Sequence, residues 1–185
     1  SKGTTIAGVR AFTVSISGSN TVVEGASGNY ILSLTSPAQT TSVTVTLNYS
    51  GTASNGTDYT GVATVTIPAG ASSANFSIAA IDDLIDEVAA ESFTVTVASA
   101  SGGNFENLVV SGSNNSVTTS ITDNDNAPAI SVSSPTLAEA GGFAQFTLSL
   151  SNPSSTATTV SLALADGTAS GADYGPALEV SSDGG

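Results

Sequence analysis

The chain has 185 residues, and 15 Asp and Glu against 2 Lys and Arg give it a formal net charge of −13. This balance argues against nucleic acid as a partner, because binding to phosphates needs Lys and Arg, and it disfavours anionic membranes. The absence of Cys and His excludes disulfides, thiolate or imidazole metal sites and ordinary hydrolytic triads.

Apolar residues alternate with Ser or Thr along seven segments, which predicts half-buried β-strands. β-Branched residues dominate these segments and fit a pleated surface, while no segment shows the 3.6-residue period of a helix. Gly, Pro, Asn or Ser bounds each segment and supplies turn geometry. We therefore expect an all-β protein, an antiparallel β-sandwich of immunoglobulin-like type. The predicted strands are 12–17, 29–34, 42–49, 63–67, 74–81, 92–99 and 116–122.

The sequence also contains an internal repeat. "VEGASGNYILSLTSP" at 23–37 is echoed by "AEAGGFAQFTLSLSNP" at 138–153, and "GTASNGTDY" at 51–59 by "GTASGADY" at 167–174. Glu24 and Glu139, like Asp58 and Asp173, are 115 residues apart, so the repeat is about one sandwich domain long. We predict an N-terminal segment or linker at 1–11, a first domain at 12–126, and the first half of a second domain at 127–185.

Half a sandwich would expose one apolar face and open strand edges. We expect this face to be covered either by further residues of the same polypeptide or by another subunit. No apolar run approaches the roughly 18 residues of a membrane helix, so we expect no membrane insertion. The chain lacks both Met and a signal peptide, and we interpret it as an internal or processed fragment of a longer protein.

Acidic residues crowd the segment "IDDLIDEVAAESF" at 81–93, in a chain of which only 9% of the residues are charged. Carboxylates this close repel one another unless a cation lies between them. The only basic residues, Lys2 and Arg10, are far away at the N-terminus. Calcium accepts six to eight oxygen ligands, including carboxylates and backbone carbonyls. The five acids of this segment are Asp82, Asp83, Asp86, Glu87 and Glu91.

Further acids lie at predicted turns or where the chain leaves the first domain: Glu24, Asp58, Asp123 and Asp125. Loops from alternate strand ends gather at one end of a sandwich, so we expect these carboxylates to meet there and to bind Ca²⁺. The alternative is a solvated acidic face. Such a face would carry interspersed Lys and Arg, which this chain lacks.

The order of these motifs resembles the Calx-β domain, a calcium-binding sandwich found in sodium–calcium exchangers and in large bacterial adhesins. The motifs are "VVEG" at 22–25, "GTASNGTDY" at 51–59, "IPAG" at 67–70 followed by "IDD" at 81–83, and "TDND" at 122–125. The resemblance covers about 12–126 and, for the first half of a second domain, 129–185. Asn124 stands where the family has an acid, which keeps an oxygen but removes a charge.

The resemblance implies a set of metal ligands in the first domain and an incomplete set in the second. Glu91 matches with one extra residue before it, and Ile85 would offer its backbone carbonyl. The second copy lacks the paired aspartates, so its set is partial. The implied ligands are Glu24, Asp58, Asp82, Asp83, Ile85, Glu87, Glu91, Asp123 and Asp125, with Glu139 and Asp173 in the second copy.

Three functions are compatible with this sequence. The first is an extracellular calcium-binding structural module of a repetitive bacterial cell-surface adhesin or biofilm protein, in which Ca²⁺ rigidifies loops and domain junctions. The second is a self-assembling extracellular filament subunit whose incomplete second domain is completed by a neighbouring chain. The third is a regulatory calcium sensor or an enzyme accessory domain. We expect neighbouring repeat domains or identical subunits as partners and do not expect an enzyme, since no substrate cleft is indicated.

Overall fold

The computed structural model describes residues 8, 10–87, 89–140 and 142–175, and most of the predicted N-terminal segment lies outside them. The chain divides into two compact units, Ser1–Asn126 and Ala127–Gly185. The described residues form strands and turns without a helix, so the prediction of an all-β sandwich is confirmed. In this part of the chain there is accordingly no helix of the length and apolarity that a membrane span needs.

All seven predicted strands of the first unit are present, with ends within three residues of those expected, and three short strands join them. The strands are β1 (Phe12–Gly18), β2 (Thr21–Val23), β3 (Ser27–Leu34), β4 (Val43–Gly51), β5 (Tyr59–Thr60), β6 (Thr64–Ile67), β7 (Ser73–Ala80), β8 (Glu91–Gly102), β9 (Leu108–Val110) and β10 (Ser116–Thr122).

Two five-stranded sheets, in the orders β5-β7-β3-β1-β9 and β2-β10-β8-β4-β6, form the sandwich. Their pairings are antiparallel except at two edges, where β1 pairs with β9 and β10 pairs with β2 in parallel. The edge between β10 and β2 is parallel because the chain changes sheet between β1 and β2 without reversing its direction, so β2 runs in the same direction as β10. The pairing of β4 with β8 also shifts by one residue between Thr46 and Leu47.

The core of the first unit follows from the period-2 pattern, which places alternate residues of each strand between the sheets. Tyr59 and Phe93 stack in this core with ring centroids 4.4 Å apart. The buried Tyr30 hydroxyl lies 2.5 Å from the hydroxyl of Thr119, which in turn donates to the carbonyl of Ser19 at 2.7 Å. This chain of hydrogen bonds links the two sheets and satisfies polar groups that burial would otherwise leave unpaired.

The second unit has two described strands, β11 (Ile130–Val132) and β12 (Leu148–Leu150), which pair antiparallel. Their register, Ile130 with Leu150 and Val132 with Leu148, repeats that of β1 and β3. The equivalent residues of the first unit are buried, whereas in the second unit Val132 is 55% exposed and Leu150 is 44% exposed. The second unit therefore reproduces the strand pairing of the first without burying the same positions.

We expect Tyr30→Phe to lower the free energy of unfolding by about 1–2 kcal/mol, because the variant loses a buried hydrogen bond to Thr119. Urea denaturation of the full chain measures this change. The matched control is Thr44→Val at an exposed strand position, where we expect a change within about 0.5 kcal/mol. Equal stability of Tyr30→Phe and the wild type would show that the inter-sheet hydrogen bond contributes nothing.

Candidate metal centre

One end of the first unit, called here the acidic pole, is the end at which β3, β5 and β8 begin and β7 and β10 end. The strand pairing brings these ends together, because Ser27 pairs with Ala79, Tyr59 with Ala80, and Glu91 with Ile121. Each of the acidic segments singled out in the sequence adjoins one of these strand ends. The chain therefore reaches β1 at the opposite end of the sandwich and leaves the first unit through the acidic pole.

Glu24, Asp123 and Asp125 form the first of two carboxylate groups, called here the exit cluster. One carboxylate oxygen from each lies within 4.8 Å of the other two. Glu24 lies in the turn between β2 and β3, where its amide donates to the carbonyl of Thr122 at 3.1 Å. The cluster thus joins the start of β3 to the segment by which the chain leaves β10.

Asp58, Glu87 and Glu91 form the second group, called here the loop cluster, with the same 4.8 Å limit between their oxygens. Asp58 lies just before β5, and its carboxylate accepts a hydrogen bond of 2.6 Å from the amide of Ser54. Its carbonyl accepts a second hydrogen bond from the amide of Ile81. These contacts fix the loop that carries Asp58 against the loop that carries Glu87.

A hydrogen bond joins the two clusters. The amide of Glu87, in the loop cluster, donates to Oδ2 of Asp123 in the exit cluster at 2.8 Å. The other carboxylate oxygen of Asp123 accepts from the amide of Asp125, also at 2.8 Å. The Asp123 carboxylate therefore holds a backbone amide of each cluster.

Three carboxylate oxygens at this pole are buried without a hydrogen-bond partner: Oε2 of Glu24, Oε2 of Glu91 and Oδ2 of Asp125. All three belong to the two clusters, and the Glu24 side chain is only 7% exposed. A buried unpaired carboxylate is costly, and neutralisation by a metal ion is one way of removing that cost. Oxygen-only donor sets of this kind suit a hard cation such as Ca²⁺, so the residues present fit the ion that the sequence analysis implies.

Burial and neighbouring charge act together on the glutamates of the clusters. Burial first, and then the nearby carboxylates of Glu87 and Asp123, raise the pKa of Glu24 from 4.5 to about 7. Burial and the charge of Asp58 likewise raise the pKa values of Glu87 and Glu91. Arg10 is the only basic residue among those the structure describes, and it lies over the Phe12 ring at the opposite end of the sandwich. No protein cation within the described part therefore relieves this crowding.

The other expected ligands of the first unit lie beside the clusters. Asp82 accepts a hydrogen bond of 3.1 Å from the side-chain amide of Asn124. Asp83 accepts a hydrogen bond of 2.7 Å from the amide of Ile85, which closes a local turn. This contact uses the amide of Ile85 and not its carbonyl, which is the group predicted to bind the metal. These residues stay predicted ligands, since neither three-carboxylate group includes them.

Asn124 has a role that the sequence did not indicate. Its side-chain amide donates both to the carbonyl of Glu24 at 3.2 Å and to the carboxylate of Asp82. The sequence predicts a role only for its oxygen, as a replacement for an acid.

Gly25 is a second residue whose structural role the sequence did not indicate. A Cβ built there would lie 3.3 Å from Oδ1 of Asp82, and its φ is +75°. Close approach of this turn to the acidic loop therefore requires a glycine, which the motif "VVEG" already contains.

The acids of the second unit are placed more simply. Asp173 accepts a hydrogen bond of 2.9 Å from the amide of Ser170, which matches the contact between Asp58 and Ser54 in the first unit. Glu139 is exposed. Within the described residues of the second unit, neither acid belongs to a group of three carboxylates, and both stay predicted ligands of a partial site.

Two family models match the chain. A model described as the LapA domain matches residues 11–124, which is more than half of the chain, and a model described as the Calx-beta domain matches residues 123–179. The expected resemblance to the Calx-β domain is therefore confirmed, while the LapA domain is a family that the sequence analysis did not name. No curated protein matches the chain.

The fold is also similar to a solved structure, the crystal structure of CBD12 from CALX1.2. The TM-score is 0.50 at 23% sequence identity, and the alignment covers 66% of this chain and 49% of that chain. At this level of identity the likeness shows the fold alone. The chain spans about half the length of that protein.

In the metal-free protein, the raised pKa of Glu24 makes stability fall as the pH rises. Between about 4.5 and about 7 the folded chain retains a proton that the unfolded chain releases, so this stabilisation is complete below pH 4.5 and is lost through pH 7. We expect a lower melting temperature in EDTA at about pH 7.5 than at about pH 5, measured by scanning calorimetry.

The Glu24→Gln variant tests the assignment of this effect, because it cannot ionise at that position. We expect its melting temperature to fall less between the two pH values than that of the wild type. Glu106→Gln, which removes an exposed acid outside both clusters, is the matched control and should keep the full decrease. An unchanged decrease in Glu24→Gln would contradict the prediction.

Proposed function

The chain belongs to the LapA domain family. We propose that it is an extracellular calcium-binding structural module of a repetitive bacterial cell-surface adhesin or biofilm protein. Both matched families are structural or adhesin-like modules, which supports a structural rather than an enzymatic role. The observation that carries the calcium proposal is the set of buried, unpartnered carboxylate oxygens in the exit and loop clusters.

The residues of the exit cluster would form the first calcium site. Glu24 is the most deeply buried acid of the pole, and Asp123 and Asp125 face it from the segment after β10. Asp82 lies close enough to this group to share Asn124 as a hydrogen-bond donor with the carbonyl of Glu24. Bound Ca²⁺ would supply the positive charge that these oxygens lack, and the protein side chains would hold it without a rearrangement of the sheets.

The residues of the loop cluster would form a second site. Asp58 lies just before β5, whereas Glu87 and Glu91 both belong to the acidic segment 81–93. The carboxylate of Asp83 and the carbonyl of Ile85 lie in the same loop as Glu87. Because the amide of Glu87 is held by Asp123, ordering of the exit cluster would also hold Glu87 in place. Occupation of the two sites would therefore be coupled.

The proposed calcium site would affect the stiffness of the exit segment, residues 122–126. The carbonyl of Thr122 accepts from Glu24, and Asp123, Asn124 and Asp125 all contribute to the acidic pole. Closing the exit cluster would fix the direction in which the chain leaves the first unit. In a tandem array this would convert flexible connections into stiff ones, a property suited to an adhesin that must extend from a cell.

A second candidate function, the filament subunit, is favoured by the exposed face of the second unit. Residues of β11 and β12 that correspond to buried residues of β1 and β3 are 39–55% exposed. An identical subunit covering this face would bury apolar side chains and generate a polymer. The adhesin module is the better-supported proposal, because the carboxylate clusters need an explanation that the filament does not provide.

We expect isothermal titration calorimetry to show saturable Ca²⁺ binding to the metal-free chain, with dissociation constants no weaker than about 1 mM, the range of extracellular modules. Glu24→Gln should weaken one binding event and Glu91→Gln the other, each at least about tenfold, because each removes one charged ligand. Glu106→Gln again serves as the charge-matched control and should bind as the wild type does. Absence of binding at millimolar calcium would mean that the acidic pole is a solvated face.

We further expect calcium to protect the exit segment from hydrogen exchange. The amide of Asp125 donates to Asp123 and the amide of Glu24 to Thr122, so both should exchange more slowly once the exit cluster binds its ion. Mass-spectrometric exchange of peptides covering residues 22–26 and 120–126, with calcium and with EDTA, measures this. The amide of Val45, in the sheet core, is the internal control. Equal exchange of the segment in both conditions would contradict the proposed stiffening.

A further inference from the structure

The edges of the two sheets differ in how they are protected against pairing with another chain. Natural proteins protect edges with short strands, charged residues or proline. The terminal strands β2, β5, β6 and β9 are two to four residues long, and Pro68 directly follows β6. Beyond Leu47 the outer edge of β4 is blocked by the Tyr49 hydroxyl, which exchanges hydrogen bonds with the backbone of Val62. These edges offer little room for an added strand.

The outer edge of β7 has none of these protections. This eight-residue strand pairs with β3 on one side along almost its whole length, but with β5 on the other side only at Ala79 and Ala80. The segment from Ser73 to Ile78 therefore has no strand of the described residues on its outer side. It contains no charged residue and no proline.

The direction of the free backbone groups follows from the ladder with β3. The amide of Ala80 donates to the carbonyl of Ala26 in the turn before β3, so the amides and carbonyls of the even-numbered residues of β7 point towards β3. Those of Ser73, Asn75 and Ser77 consequently point outwards. The side chains of these three residues are exposed, whereas Phe76 is partly buried and Ile78 is buried in the core.

We propose that the outer edge of β7 is an interface at which a second copy of this chain pairs antiparallel through its own β7, so that one sheet runs continuously through both copies. The register that uses every free group places Asn75 opposite Asn75 of the second copy and Ser73 opposite Ser77. Each of these pairs exchanges both of its backbone hydrogen bonds in an antiparallel ladder. Pairing ends before Ala79, where β5 closes the edge.

The charge distribution allows a second copy as the partner and favours the antiparallel direction. β7 runs into Asp82 and Asp83 at the acidic pole, so parallel pairing would set two acidic poles side by side. In the antiparallel register each Asp82 lies about seven residues, or roughly 23 Å, from the symmetry axis, on opposite sides of it. The poles are then separated by more than the roughly 8–10 Å over which salt screens charge at physiological strength. A neutral strand contacts a neutral strand, and the two net charges stay apart.

Sedimentation equilibrium of the full chain in calcium, from low to high micromolar concentration, tests this interface. We expect the wild type to form dimers. Asn75→Lys should weaken the dimer at least about tenfold, because it places two like charges directly opposite each other. Asn75→Glu should do the same. An equimolar mixture of the two variants should dimerise again, since each Lys then faces a Glu, and this recovery also shows that both variants are folded.

Asn29→Lys is the matched control. Asn29 is an exposed residue on β3, the strand next to β7, so this substitution adds the same charge one strand away from the edge. It should dimerise as the wild type does. The register has its own test in Asn75→Cys, since the chain contains no other cysteine. Cα atoms of a hydrogen-bonded antiparallel pair are about 5.5 Å apart, within disulfide range, so mild oxidation should link the copies, and should not link Asn29→Cys.

A wild-type chain that stays monomeric at high micromolar concentration would overturn the proposal. Dimers that Asn75→Lys leaves intact would also overturn it, because association would then use another surface, such as the exposed strands of the second unit. A mixture of the Lys and Glu variants that stays monomeric would exclude the two-fold register about Asn75. The proposed interface does not involve the acidic pole. Calorimetry of the same samples measures calcium binding separately, so a failure of dimerisation and a failure of calcium binding can be told apart.

Discussion

The Glu24 carboxylate is buried beside those of Asp123 and Asp125, and the electrostatics of the acidic pole depend on this arrangement. Glu24 cannot move away to relieve the repulsion, because its amide donates to Thr122 and its turn adjoins the parallel pairing of β2 with β10. Nor does the described chain offer a basic side chain at this end. Protonation or a metal ion must therefore balance the charge. At neutral pH the stability of this end of the sandwich depends on the proton and metal-ion concentrations of the solution.

The uncharged strands are the counterpart of that concentrated charge. Among the described strands β1 to β10, only Glu91, at the first position of β8, is charged. The outer faces of these strands carry mainly Ser, Thr and Asn. Such faces stay hydrated through hydroxyl and amide groups, but they do not repel another copy of the chain. The sequence of the first unit thus concentrates negative charge at one pole and leaves the faces of the described strands almost uncharged.

Period-2 alternation predicted the long strands because their burial depends only on which residues face the core. The two- and three-residue strands β2, β5 and β9 could not be predicted in this way, since a segment so short has no period to read. The sequence also placed the acids at one pole, because each adjoins a strand end. It could not divide them into an exit cluster and a loop cluster, nor reveal that Asn124 acts as a donor, because both depend on the loop backbone.

The second unit separates two contributions that are combined in the first. Its β11 and β12 adopt the register of β1 and β3, with Ile130 opposite Leu150 as Val14 is opposite Leu34. Val14 is fully buried, whereas Ile130 is 45% exposed. Strand pairing is therefore specified by the repeated sequence of the two strands themselves, while burial needs the facing sheet. A two-stranded sheet whose apolar side chains keep much of their surface in water gains little hydrophobic stabilisation.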